Sequence, residues 1–260
     1  MKNKIERRFI FRGNASGVAA HIRRPGDEVI PVQAASSLPV IGGISESEAN
    51  GRESAYVRFE RAKTSARGDF DDRDKAVEIT NHKCRPDSVP TTTTVTAEVT
   101  GLAFRDRVSV GRAAATFVSR SPKRRGQPSI VPEGTAIEKL VIDNCELIVT
   151  LSEDLFRRCN TKAKLNKAGK AGAPHGVVDS EGVTYATLVV ATKWADRKPE
   201  GVDIDGNVIA ISDFGRLYLA ELLITDVSRR LTMVRAELGS PVGGSASASE
   251  IETNGIYWPA

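Results

Sequence analysis

Thr94-Val95-Thr96-Ala97-Glu98-Val99-Thr100 alternates strictly between polar and apolar side chains, the period expected of a strand with one face buried. The same period recurs upstream, where Ala55, Val57 and Phe59 alternate with Tyr56, Arg58 and Glu60, so Val57 and Phe59 are expected to face a core and Arg58 and Glu60 solvent. Downstream, Leu102 to Val110 and Ala113 to Val118 continue as strands, with Gly101 and Gly111 read as turn residues of a meander. Ile137 to Ile142 and Glu146 to Leu151 read as a hairpin closed by Asp143-Asn144-Cys145. Val183 to Thr192 is the strongest single strand, rich in β-branched residues and free of charge. Asn207 to Ile211 follows the turn signal Asp205-Gly206, and Leu231 to Leu238 alternates again. Leu217 to Ile224 fits a helix or a buried strand, and strand is preferred. A short helix is expected at Ser152 to Cys159, where Ser152 can cap the first turn and Glu153 and Asp154 suit its positive end.

These signals predict an all-β, mainly antiparallel protein, a sandwich or barrel-like fold with at most one or two short helices. The segment 119–134 holds Pro122, Pro128 and Pro132 around Lys123-Arg124-Arg125, and reads as a linker or long loop. It separates an N-terminal β module (1–118) from a C-terminal one (135–260), with a single β domain as the alternative. Segments 64–90 and 160–182 are expected as further surface excursions. Pro39-Val40-Ile41-Gly42-Gly43 resembles Pro241-Val242-Gly243-Gly244, each followed by a Ser-rich stretch. A true repeat would place the same device on two equivalent edges.

Composition narrows the function classes. Hydrophobic residues make up 40% of the chain, enough for a packed core, while aromatics at 5% leave that core to aliphatic residues. A charge of +4, with both signs mixed along most of the chain, argues weakly for a nucleic-acid partner. The basic groups around Arg120 to Arg125 and Lys162 to Lys170 contain no aromatic residue to stack on a base, so nucleic acid is not expected as a partner. No apolar run approaches the ~20 residues needed to cross a bilayer, and Phe9-Ile10-Phe11 is too short for a signal-peptide core. Cytoplasmic residence is therefore expected, or incorporation into an assembly after cytoplasmic synthesis. Cys84, Cys145 and Cys159, odd in number and widely spaced, argue against a disulfide framework.

No catalytic, cofactor or metal residues are assigned. His21, His82 and His175 lack a recognisable nucleophile context, and no nucleotide-binding glycine loop occurs. His82-Lys83-Cys84 offers too few ligands for zinc. Asp203, Asp205 and Asn207 read as a hairpin turn rather than a calcium loop, and Asp69, Asp71, Asp72 and Asp74 as a charged loop. By elimination the chain reads as a structural or assembly protein, a self-associating β-rich subunit of a larger particle or filament, or one pairing with another β-rich protein. The alternatives are a ligand-binding sandwich, for instance for carbohydrate, and a hydrolase whose paired carboxylates the sequence does not reveal. The expected interface residues are Ser245, Ser247 and Ser249, in a Ser-Ala stretch that admits a second backbone, and Tyr257 and Trp258, two anchoring rings.

Overall fold

A computed structural model describes residues 8–71, 90–121, 129–170, 177–225 and 228–258. Within them the chain forms β1 (Arg8–Arg24), β2 (Glu28–Ser37), β3 (Gly43–Arg52), β4 (Val57–Phe70), β5 (Thr91–Phe104), β6 (Val108–Ser121), β7 (Ser129–Pro132), β8 (Ala136–Ile142) and β9 (Cys145–Leu151). Two helices follow, α1 (Asp154–Arg158) and α2 (Lys162–Lys170). The remaining strands are β10 (Val178–Ser180), β11 (Val183–Thr187), β12 (Val189–Trp194), β13 (Val202–Asp205), β14 (Val208–Ile211), β15 (Gly215–Ile224), β16 (Arg229–Leu238) and β17 (Gly243–Trp258). They build two antiparallel sheets packed face to face. Sheet A has nine strands in the order β10-β11-β15-β16-β17-β1-β2, with the β13–β14 hairpin also joined to β15. Sheet B has eight, ordered β12-β9-β8-β6-β5-β4-β3, with β7 on β6. The fold is thus an all-β two-sheet sandwich.

The alternation that announced β5 operates as expected: Val95, Ala97 and Val99 are fully buried. In β4, Val57 and Phe59 are buried while Arg58 and Glu60 are exposed. Strands from both sides of 119–134 enter both sheets, and β1 pairs with β17 from Arg8↔Trp258 to Arg24↔Gly243. That segment itself contains β7, while residues 122–128 and 72–89 lie outside the described ones.

Four local expectations change. Gly101 and Gly111 lie inside β5 and β6, and the turn between them is Arg105–Arg107. Val183 to Thr192 is not one strand: at Leu188 the chain leaves sheet A and enters sheet B, with the Leu188 amide donating to Ala220 and its carbonyl accepting from Ser152. Neither described excursion is wholly a loop: part of 160–182 is helix α2, whose Leu165 is buried, and 64–90 begins inside β4, where Thr64 and Ala66 are buried. The two Pro-Val segments are not equivalent, since the first links β2 to β3 between sheets and the second closes the β16–β17 hairpin within one. The Asp143-Asn144 hairpin behaves as read, with both residues at positive φ (47° and 61°), the geometry of a two-residue hairpin turn.

A row of residues crosses sheet A where regular pairing is interrupted on every strand. Ala34, Gly17, Ser249, Met233 and Ala220 stand opposite one another on β2, β1, β17, β16 and β15. Ala34, Ser249 and Ala220 have φ of 55°, 56° and 48°, a left-handed conformation that costs a non-glycine residue ~1–2 kcal/mol. Packing across the interior holds the row in place. The Ser249 hydroxyl lies 2.9 Å from the carbonyl oxygens of both Ala97 and Ala113 in sheet B and shares its one proton between them. A Cβ added to Gly17 would fall 2.6 Å from the Ala62 Cβ of β4 and 2.6 Å from the Gln33 carbonyl oxygen. The sheets therefore touch here almost backbone to backbone. Gly17→Ala should destabilise by ~1–3 kcal/mol through overpacking, and adding Ala62→Gly should cost less than the sum of the two single changes in urea melts. Strictly additive costs would show that the two positions are not in contact.

Candidate assembly surfaces

The expected interface residues fall on β17, which is interior to its sheet. Ser245 pairs with Glu237 of β16 and His21 of β1, and Ser247 with Arg235 and Ala19, so both edges of the Ser-Ala stretch are occupied within the chain. Ser245 points out to solvent, Ser247 is half-buried, and Ser249 is fully buried in the cross-sheet bond. The backbones of Tyr257 and Trp258 pair with Phe9 and Arg8, while their side chains lie outside the described residues.

The outer face of sheet A neutralises its own charges. The Arg235 guanidinium lies 3.7 Å above the Tyr218 ring and grips Glu221 through two bonds of 2.7 and 2.9 Å. Its second carboxylate partner is Glu237, which also accepts from the Tyr218 hydroxyl at 2.8 Å. The bond to Glu221, ahead of the opposing effect of desolvation, pushes the Arg235 pKa up. Burial alone would raise the Glu237 pKa, but bonds from Tyr218 and Arg235 outweigh it and hold the carboxyl below its ordinary 4.5. Glu250 and Glu252, the other adjacent carboxylates of this face, both pair with Arg230. These carboxylate pairs are thus occupied by arginines and poorly placed for acid–base work.

The remaining candidate chemistry is dispersed. His21 bonds Asp27 at 2.7 Å, and Ser245 stands opposite it in register, yet Asp27 is 77% exposed and water reaches the whole group. Cys145 is buried and Cys159 half-buried, while Cys84, His82 and His175 lie outside the described residues. Among the described residues no three His, Cys, Asp or Glu side chains gather as metal ligands. Asp203 and Asp205 sit in the β13–β14 hairpin, with Lys198 bonded to Asp203. Lys162 is buried and donates to the Gly182 carbonyl at 2.5 Å, and Lys164 donates to Asn160. No described helix is long and apolar enough to cross a membrane.

Among the described residues the exposed large hydrophobic side chains lie toward the two lateral sides of the sandwich, on the edge strands, the strands next to them or the β2–β3 connection. On one side lie Val29 and Val32 of β2, Val40 and Ile41 of the β2–β3 connection, and Ile44 of β3; Ile41 is 82% exposed. On the other lie Val178 and Tyr185, directly paired on β10 and β11, with Ile148 of β9 and Val190 of β12. Along the chain they look like ordinary strand residues; only the order of strands reveals that they are at edges.

Residues 9–174 match the family model described as domain of unknown function DUF8256. The chain belongs to this family. No curated protein and no solved structure matches it. The DUF8256 stretch supplies β1 to β9 and both helices, hence all of sheet B but β12, and only β1 and β2 of sheet A.

The Glu237 network gives a pH-dependent expectation. A carboxyl held below its unfolded value stabilises the fold above that value and loses the contribution as pH falls through the lowered one. Glu237→Gln should therefore lower the melting temperature at neutral pH, by a margin that closes as the pH drops below 4.5. A margin independent of pH would contradict the assignment.

Proposed function

We propose that this chain is a structural subunit that self-associates through the lateral edges of its sandwich. One observation carries the reading: among the described residues, all nine exposed large hydrophobic side chains lie on an edge strand, on the strand next to one, or in the β2–β3 connection. The broad faces between them, formed by the long central strands, present none. Single exposed apolar residues are unremarkable on a monomer, but their restriction to opposite edges is the pattern of surfaces buried on association. Free strand edges add unpaired backbone donors and acceptors to the same two places. The contact thus lies outside the Ser-Ala stretch of β17, whose backbone is already paired.

Sedimentation velocity across a dilution series tests this. The 28.0 kDa chain should shift to larger species as concentration rises into the micromolar range. Ile41→Asp should leave the melting temperature unchanged and move the series toward monomer. A monomer at every concentration would overturn the reading.

A further inference from the structure

The edge strands are not equivalent. β7 in sheet B and β13 in sheet A, each paired with a single neighbour, are only four residues long, and the other two edges of sheet A are blunted. On β2 the register slips between Val18 and Ala20, where an extra residue bulges beside Pro31, which has no amide to donate; the Gln33 side chain takes the Pro31 carbonyl at 2.6 Å. Bulges and prolines at an edge are devices that prevent pairing. At the far side, β10 has three residues and lies against α2, held by Asn166 to Asp179 at 2.8 Å and Lys162 to Gly182. In sheet B, β3 pairs with β4 from Gly43↔Gly68 to Arg52↔Phe59 without a register shift and contains neither proline nor lysine. At the other end β12 is terminal; its register slips between Val189 and Ala191, and the four residues from Ala191 to Trp194, Lys193 among them, pair regularly with β9 and leave their outer edge open.

The open edges also differ in charge. The segment between β1 and β4, 25–56, carries five acidic residues against one basic, Arg52. On the other side β12 carries one charged residue, the exposed Lys193. On β3, Glu46 and Glu48 lie opposite Ser65 and Lys63, outward-facing residues of β4, and Glu48 is held by Arg61 through bonds of 2.7 and 2.8 Å. On β12, Lys193 lies opposite the exposed Ile148. Both rows therefore project from the outer face of sheet B. Two copies meeting β3 to β3 would bring Glu46 and Glu48 against the same residues of the partner.

Resting on the self-association proposed above, we infer that copies join head to tail, the acidic β3 edge of one adding to the basic β12 edge of the next, so that sheet B continues from subunit to subunit. Ile44 on one side and Val190 and Ile148 on the other give the junction an apolar component, and Glu46 meets Lys193. An interface between two different surfaces of the same chain closes into a ring or runs on as a filament.

Charge reversal on each edge tests the pairing. One full-length variant carries Glu46→Lys, the other Lys193→Glu; circular dichroism confirms that each is folded. Each alone should associate ~100-fold more weakly than the unaltered chain, because like charges then meet. Mixed in equal amounts they should regain large species, since every junction again joins opposite charges. Failure of the mixture to recover, or association undiminished in either variant, would overturn the head-to-tail arrangement while leaving self-association standing. An unaltered chain that stays monomeric would remove both. A salt series needs no substitution: raising ionic strength from ~0.05 to ~0.5 M should weaken association of the unaltered chain, and association indifferent to salt or strengthened by it would overturn the charge pairing.

Discussion

Along the row through Gly17 and Ser249 the two sheets meet through methyl groups and bare backbone, and this close approach governs the rest of the fold. Gly17 leaves no room for a side chain against Ala62. Ser249 reaches two carbonyls of the opposite sheet, while Phe11, Phe104, Phe117 and Phe214 fill the interior elsewhere. With so little side-chain volume between the sheets at this row, a small change there is felt as overpacking. The left-handed residues at Ala34, Ala220 and Ser249 persist because neighbours on both sides hold them. The row ends at Thr187, whose hydroxyl takes the carbonyls of Leu219 and Ala220, next to the Leu188 crossover between sheets.

A centre locked in this way leaves the edges as the places where the molecule can offer unsatisfied groups. The outer face of sheet A is closed by the Arg235 and Arg230 networks. Its lateral strands are short, bulged or backed by α2. Sheet B retains the regular β3 edge with Glu46 and, beyond a slip in register at Val190, the β12 edge with Lys193, each accompanied by exposed aliphatic side chains. That asymmetry distinguishes a surface protected against pairing from one left able to pair.

Where burial alternates along a strand, the sequence was informative: the β4 and β5 patterns and the Asp143-Asn144 hairpin follow from local periodicity and turn chemistry, and the short helix forms where expected, with Glu153 rather than Ser152 as its N-cap. Other features depend on distant neighbours. The crossover at Leu188 sits inside an unbroken apolar run, so nothing local marks it. Helix α2 is polar, with Lys162 and Leu165 as its buried residues, and gives almost no apolar period. The Ser-Ala alternation of β17 correctly signals that another backbone comes close, but small residues do not say whose, and here it belongs to the same chain. Val40, Ile41 and Ile44 become conspicuous only once the order of strands places them at an edge.

Hydrogen–deuterium exchange on dilute and concentrated protein measures the edge contact most directly. Concentration should slow exchange of amides in Gly43–Arg52 and in Val189–Trp194 together, while Glu28–Ser37 and Ser245–Ser249 keep their rates. Protection that grows with concentration on only one of the two sheet B edges, or on β2 instead, would contradict the account.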